Sequence, residues 1–327
     1  MKQKIILNVC LSACFIYLAF RQVNYQELKV TLGAFEKVYL FPMILVSGAI
    51  QLVRSYRWRE ILRPLKPLGL GTVYVVNSVG FAAINLLPAR LGEILRPYLM
   101  AKQGDIPLSS VLGTLIVERI LDSVALLFYI SIVVLFGKVP DWVNKAGYLL
   151  LGLTLILLLL VALLLGRKER VLVSLLHRRI SASSEAKLIS FLVSFKEGFK
   201  ALPDTEKLLR LVLISLLLWS LPIFSIYLLF LAFHFQLPFV AAWTVFIFIS
   251  LGIMIPSAPG FVGNFQFFCM AGLSLYGIPK PDALAYSIIL NFVQFSTIVL
   301  QGLLMFSFIK VPLGILLRTS SGEVSNR

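Results

Sequence analysis

Charge is what this chain has least of. No Asp, Glu, Lys or Arg occurs from residue 211 to 279, and charged residues make up only 14% of the whole. Soluble domains carry about a quarter. A chain this poor in charge cannot surround itself with a polar surface, so the class expected is a membrane protein. Histidine is nearly missing as well: His177 and His234 are the two, far apart, and Cys10, Cys14 and Cys269 lie in apolar stretches without a CxxC pair. Metal binding and Cys–His chemistry are therefore not expected, and no cofactor is expected. Acidic residues number 15 against 30 basic ones, a net charge of +15. In a soluble protein that excess would suggest nucleic acid. Here the basic residues gather in short segments between apolar runs, where they orient a membrane protein and meet anionic lipid, so no nucleic-acid partner is expected.

What is present is hydrocarbon: 59% of residues are hydrophobic, with a mean hydropathy of +0.93. The N-terminal MKQKIILNVCLSACFIYLAF has the basic start and apolar run of a signal peptide. Phe20-Arg21 offers no small-residue cleavage site, so it is read as a retained first helix. A helix crosses the hydrocarbon core in about 20 residues. Single crossings are expected at 5–20, 38–56, 109–136, 147–166, 208–233 and 283–309. Two regions resist that reading. Residues 72–101 break at Pro88 with Gly92 soon after, and residues 239–277 break at IPSAPGFVGN, 255–264. Proline removes a backbone donor and clashes with the preceding turn, so each region is expected as two half-helices. At membrane depth such a break survives only when buried in protein or lining a cavity.

The two regions resemble each other. Pro88-x3-Gly92 matches Pro256-x3-Gly260, and Asp105-Ile106-Pro107-Leu108 matches Gly277-Ile278-Pro279-Lys280. Twelve residues past Pro107 and Pro279 lie Arg119 and Asn291, and fifteen past lie Asp122 and Gln294. Two unrelated proline breaks are the alternative. The basic loop at 54–71 and the basic segment 167–207 should both face the cytoplasm. That requires an even number of crossings between them, which holds if 72–101 enters and leaves on one side. The second hairpin then enters from the other face, and both termini finish inside. The expected fold is an all-α polytopic membrane protein, with about six full spans and two re-entrant hairpins. It consists of two inverted copies of helix, helix, re-entrant broken hairpin, helix, at 1–136 and 137–311, followed by a polar, disordered tail at 312–327. Broken helices meeting in an inverted repeat are a transporter architecture. The connector 167–207 is expected to lie along the cytoplasmic interface.

Six charges stand out against this background. Glu118, Arg119 and Asp122 fall within one helical turn or so of each other near the middle of 109–136, and Arg90, Glu93 and Arg96 follow the first break. Each costs roughly 2.5–3.5 kcal/mol at the centre of a membrane helix. They must face protein or water. Three cations and three anions could neutralise one another as scaffold. Alternatively they line a hydrated cavity where arginine forks bind a phosphate, and Glu118 or Asp122 could also carry a proton. The second repeat has amides at matching places, Asn264, Gln266, Asn291 and Gln294, either packing glue or the opposite cavity wall. In RSYRWREIL, 54–62, Arg54, Arg57, Trp58 and Arg59 are read as an interfacial anchor, with lipid phosphate as their sharper partner.

These motifs together resemble a known family, the flippase-like transmembrane domain of lysylphosphatidylglycerol synthetases, which also occurs alone. The resemblance rests on RSYRWREIL (54–62), NLLPARLGEILRPYLM (85–100), GTLIVERILD (113–122) and PSAPGFVGNFQ (256–266), and runs over nearly the whole chain. It implies movement of an anionic or aminoacylated phospholipid, or a polyprenyl-phosphate lipid, between leaflets of the cytoplasmic membrane. The synthetases carry a separate soluble domain that makes the lipid. With Arg327 the last residue, the expectation is translocation rather than synthesis, with a lipid-modifying enzyme as a candidate partner. Rival readings are an integral-membrane transferase on a lipid-linked substrate, using Glu118 and Asp122 as acid and base, and an ion or small-solute transporter. The oligomeric state is left open.

Overall fold

The computed structural model describes residues 2–87, 92–137, 139–165, 182–200, 205–255 and 258–309. Among them every regular element is helical. In chain order these are α1 (Lys2–Phe20), α2 (Tyr25–Ala34), α3 (Leu40–Leu62), α4 (Leu70–Leu86), α5 (Gly92–Gly104), α6 (Leu108–Phe136), α7 (Asp141–Leu165), α8 (Ala182–Glu197), α9 (Thr205–Ala232), α10 (Phe239–Met254), α11 (Asn264–Ser274) and α12 (Lys280–Phe306). Five stretches, Lys37–Leu62, Leu108–Phe136, Asp141–Ala162, Thr205–Ala232 and Lys280–Phe306, are long and apolar enough to cross a membrane. The first expected span is helical, and its apolar described part, Leu11–Phe20, is shorter than a crossing. Pro88, Arg90, Pro256, the basic run 167–179 and the tail 312–327 lie outside the described residues.

Both expected breaks divide helices. The first separates α4 from α5, and the second separates α10 from α11 with a short 3-10 turn, Pro259–Phe261, between them. Within each pair the half-helices pack against each other. The contact is close enough to require glycine: a Cβ on Gly92 would lie 2.2 Å from the Ile84 nitrogen, and one on Gly252 would lie 2.4 Å from the Phe268 ring. At the second break Gly260 and Gly263 take φ of 69° and 93°, which side chains tolerate poorly. Gln266 then accepts the Gly263 N–H at 2.7 Å and starts α11.

The matched tetrapeptides adopt the same turn. Asp105 and Gly277 have φ of 49° and 77°. Ile106 donates its N–H to the Ala101 carbonyl at 3.0 Å, and Ile278 donates to Leu273 at 3.5 Å. This six-to-one closure ends one helix in a left-handed residue, and Pro107 and Pro279 cap the next.

The buried apolar residues form two layers. One contains Trp58, Ile61 and Leu62 from the end of α3, Val73 and Val76 from the start of α4, Leu99 and Met100 from the end of α5, Val111 and Val117 from the first half of α6, and Leu211. The other contains Met43 from the start of α3, Leu126 and Val133 from the second half of α6, Leu229, Ala241, Leu273 and Leu284. Hence α4 begins and α5 ends in one layer, whereas α10 begins and α11 ends in the other. Neighbouring pairs are reciprocal too: α4 packs on α12 and α10 on α6, α2 on α12 and α8 on α6, α3 on α12 and α9 on α6. Helix α1 instead covers the second hairpin, where Ser12 Oγ accepts the Ala258 N–H at 2.6 Å and Phe15 packs on Phe267 and Phe268.

Candidate functional site

Between the two apolar layers the polar residues of α3, α4, α5, α6 and α9 meet. Arg96 reaches Glu118 with both ends of its fork, Nη1 to Oε1 at 3.0 Å and Nη2 to Oε2 at 2.7 Å. Its Nε donates to Asn77 Oδ1 at 2.7 Å, and its guanidinium lies 4.0 Å from the centre of the Trp58 ring. Arg57 donates to Asp122 Oδ1 at 2.7 Å and to Ser215 Oγ at 2.9 Å, and approaches Glu118 at 3.7 Å. Trp219 Nε1 is a second donor to Asp122 Oδ1, at 3.0 Å. Two guanidinium groups and two carboxylates thus compensate each other. Arg57, Arg96 and Glu118 are 1%, 2% and 4% exposed. Such groups persist out of water only when paired and hydrogen-bonded.

The polar chain continues to a cavity. Asn77 Nδ2 donates to Ser55 Oγ at 3.2 Å, and Ser55 donates to the Gln51 carbonyl at 2.8 Å. Gln51 Oε1 accepts from Arg54 Nη1 at 3.3 Å, and Arg54 stacks 4.0 Å from the centre of Phe81. Arg54 faces a cavity of ≈ 360 Å³ whose polar wall includes Glu93, Arg119, Asp122, Asn291 and Gln294. The remaining wall is apolar and comes largely from the second half, with Phe246, Ile253, Phe265, Phe295 and Ile298 among its residues. Long helices α3, α6, α9 and α12 contribute through their middle turns, which places the cavity at mid-depth of the bundle.

The expected residues therefore divide. Glu93, Arg119, Asp122, Asn291 and Gln294 line the cavity, so both matched pairs, Arg119 with Asn291 and Asp122 with Gln294, converge there. Arg96 and Glu118 are held in the buried quartet instead. Asn291 also donates to the Gly260 carbonyl at 3.1 Å. Asn264 donates to the Gly252 and Ile255 carbonyls at 3.4 and 3.2 Å. With Gln266, it braces the second hairpin rather than lining the cavity.

The expected interfacial anchor is corrected for two residues. Trp58, 0% exposed, and Arg57 are interior groups. Trp58 also donates to Thr114 Oγ1 at 3.2 Å. Arg54 joins the cavity wall, while Arg59 remains half-buried beside the Tyr56 ring, 5.9 Å from its centre. Sequence reasoning missed Gln51, Ser55, Asn77, Ser215 and Trp219. The signal was there in part: Gln51, Arg54, Ser55 and Trp58 recur at helical spacing, a polar stripe on an apolar helix.

The sequence profile of the lysylphosphatidylglycerol synthase TM region matches residues 5–302. This chain belongs to that family. It is 26% identical to the UPF0104 membrane protein MJ1078 of Methanocaldococcus jannaschii, over 69% of this chain and 93% of that protein. It is 24% identical to a UPF0104 membrane protein of Methanothermobacter thermautotrophicus, over 84% of this chain and 87% of the relative. The matched segment spans both hairpins, the quartet and the cavity, so the site belongs to the part of the chain that defines the family.

Proposed function

We propose that this protein moves a phospholipid or polyprenyl-phosphate lipid, anionic or aminoacylated, between membrane leaflets through the central cavity. The observation that carries the reading is the cavity's two-sided wall at mid-depth. Arg54, Glu93, Arg119 and Asp122, joined by Asn291 and Gln294, face a space otherwise bounded mainly by apolar side chains, which suits an amphipathic molecule whose headgroup must cross while its tails remain in hydrocarbon. Family membership supports a lipid-related role. The fold is read as an inverted repeat in the cytoplasmic membrane with both termini inside. Support comes from the hairpins emerging from opposite apolar layers, the shared turn at Asp105 and Gly277, and the reciprocal helix neighbours. The protein is read as a transporter rather than an enzyme, acting beside whatever enzyme modifies its lipid.

The test is lipid sidedness in proteoliposomes. Headgroup-labelled phosphatidylglycerol, aminoacyl-phosphatidylglycerol and a polyprenyl phosphate are offered to wild type, Arg119→Ala and Arg54→Ala, and the recovered lipids are weighed by mass spectrometry. Transport predicts faster exchange of at least one lipid than in empty vesicles, lowered in both variants, with lipid mass unchanged. Exchange no faster than in empty vesicles refutes it, and a changed lipid mass would instead reveal a transferase.

A further inference from the structure

We propose that Arg54 and Arg119 are two successive stations for a phosphate group on its way through the cavity. The inference rests on the transport reading for the identity of the phosphate's carrier. It deepens that reading by naming the recognised group and the residues that hold it.

Arg57 and Arg96 are answered by Asp122 and Glu118, and those carboxylates are engaged in turn: Glu118 uses both oxygens on Arg96, and Asp122 Oδ1 takes two donors. Arg54 and Arg119 stand outside this quartet on the cavity wall. Among the described residues the polar contact of Arg54 is a neutral one, the Gln51 amide oxygen at 3.3 Å. No carboxylate of a described residue lies within ion-pair distance of either guanidinium. An arginine at membrane depth is costly without a counter-charge, and a guanidinium fork matches a phosphate in two-point geometry better than it matches any neutral lipid group.

The two positions differ in a way that orders them. Arg119 is exposed and therefore the more accessible of the two to an incoming group. Arg54 is half-buried, with one face stacked on Phe81, which fixes its plane and leaves in-plane donors for an anion. Phe81 also lies 4.9 Å from the Arg96 guanidinium, so Arg54 rests against the same ring that flanks the quartet. Glu93 and Asp122 face this space as well. Their presence sets a polarity along the wall and places the phosphate at the arginines rather than over the whole polar surface.

Binding to the full chain in a phosphate-free, uncharged detergent tests the proposal by calorimetric titration. Dihexanoyl-phosphatidylglycerol and inorganic phosphate are the two probes. The short-chain lipid should bind wild type, with Arg54→Gln and Arg119→Gln each weakening it about tenfold, the ratio expected when one charge-assisted contact is lost. Arg54→Lys and Arg119→Lys should recover part of the affinity, which separates lost charge from lost folding. Unchanged lipid affinity in both glutamine variants overturns the stations. So does lipid exchange at wild-type rate in proteoliposomes whose variants no longer bind. If inorganic phosphate binds as tightly as the lipid and with the same arginine dependence, the stations stand and lipid transport falls.

Discussion

The Arg96–Glu118 pair offers the sharpest stability experiment because the charge balance around it can be counted. The quartet holds Arg57, Arg96, Glu118 and Asp122, two cations and two anions, with Arg57 at 2.7 Å from Asp122 and Arg96 at 2.7 Å from Glu118. Glu118→Gln leaves two buried guanidinium groups facing one carboxylate, and breaking a buried pair from one side costs about 3–5 kcal/mol. Replacing both partners, Arg96→Met with Glu118→Leu, removes one matched pair and leaves Arg57 on Asp122. The double variant should therefore recover most of that loss, since apolar replacements of a whole buried pair are often near neutral. Arg57→Met with Glu118→Leu leaves the same net charge. Its survivors are Arg96 and Asp122, which have no contact within ion-pair distance of each other, so it should stay as unstable as the single variant. Thermal unfolding in detergent, followed by circular dichroism, reads all three against wild type. Equal stabilities for the two double variants would refute pairing as the organising force. A Glu118→Gln variant within about 0.5 kcal/mol of wild type, the range of inert surface changes, would refute it too.

Two further outcomes test the packing. Gly302→Ala should destabilise by about 1–3 kcal/mol, because its Cβ would lie 2.1 Å from Ala82 Cβ and 2.8 Å from the Ser78 carbonyl where α12 crosses α4. Gly48→Ala, inside α3 with nothing within 4 Å, is the control that should not lower the melting temperature and should raise it slightly if helix propensity is felt there. Ser12→Ala removes the acceptor of the Ala258 N–H, a loss of about 1 kcal/mol. Hydrogen exchange should then quicken at 258–266 while the first hairpin stays protected.

How much of this was legible in the sequence differs from element to element. The divisions between α4 and α5 and between α10 and α11 were legible because a proline in the sequence argues against a continuous helix whatever surrounds it. The shared turn at Asp105 and Gly277 was visible as a four-residue match for the same reason: it is closed by neighbours in the chain. Convergence of Arg96, Glu118 and Asp122 followed from cost alone, since charges that expensive have to meet. The partner of each charge did not follow. Arg57 near the end of an apolar helix looks like an anchor at the headgroups. What makes it an interior residue is Asp122 and Ser215, 65 and 158 residues away in sequence. Trp58 likewise has the profile of an interfacial residue, and only Thr114 and Arg96 across from it turn it inward.

The membrane class, the long apolar helices, the two breaks and the cost of the six charges near mid-membrane could all be read from the amino-acid order. These depend on local backbone chemistry and on transfer cost, quantities each segment carries alone. The division of labour among the charges came from packing between helices: Arg96 and Glu118 locked together, Arg57 drawn into the core, Arg54 and Arg119 left on the cavity wall. Pairing depends on distances between side chains on different helices, and no single segment contains that distance.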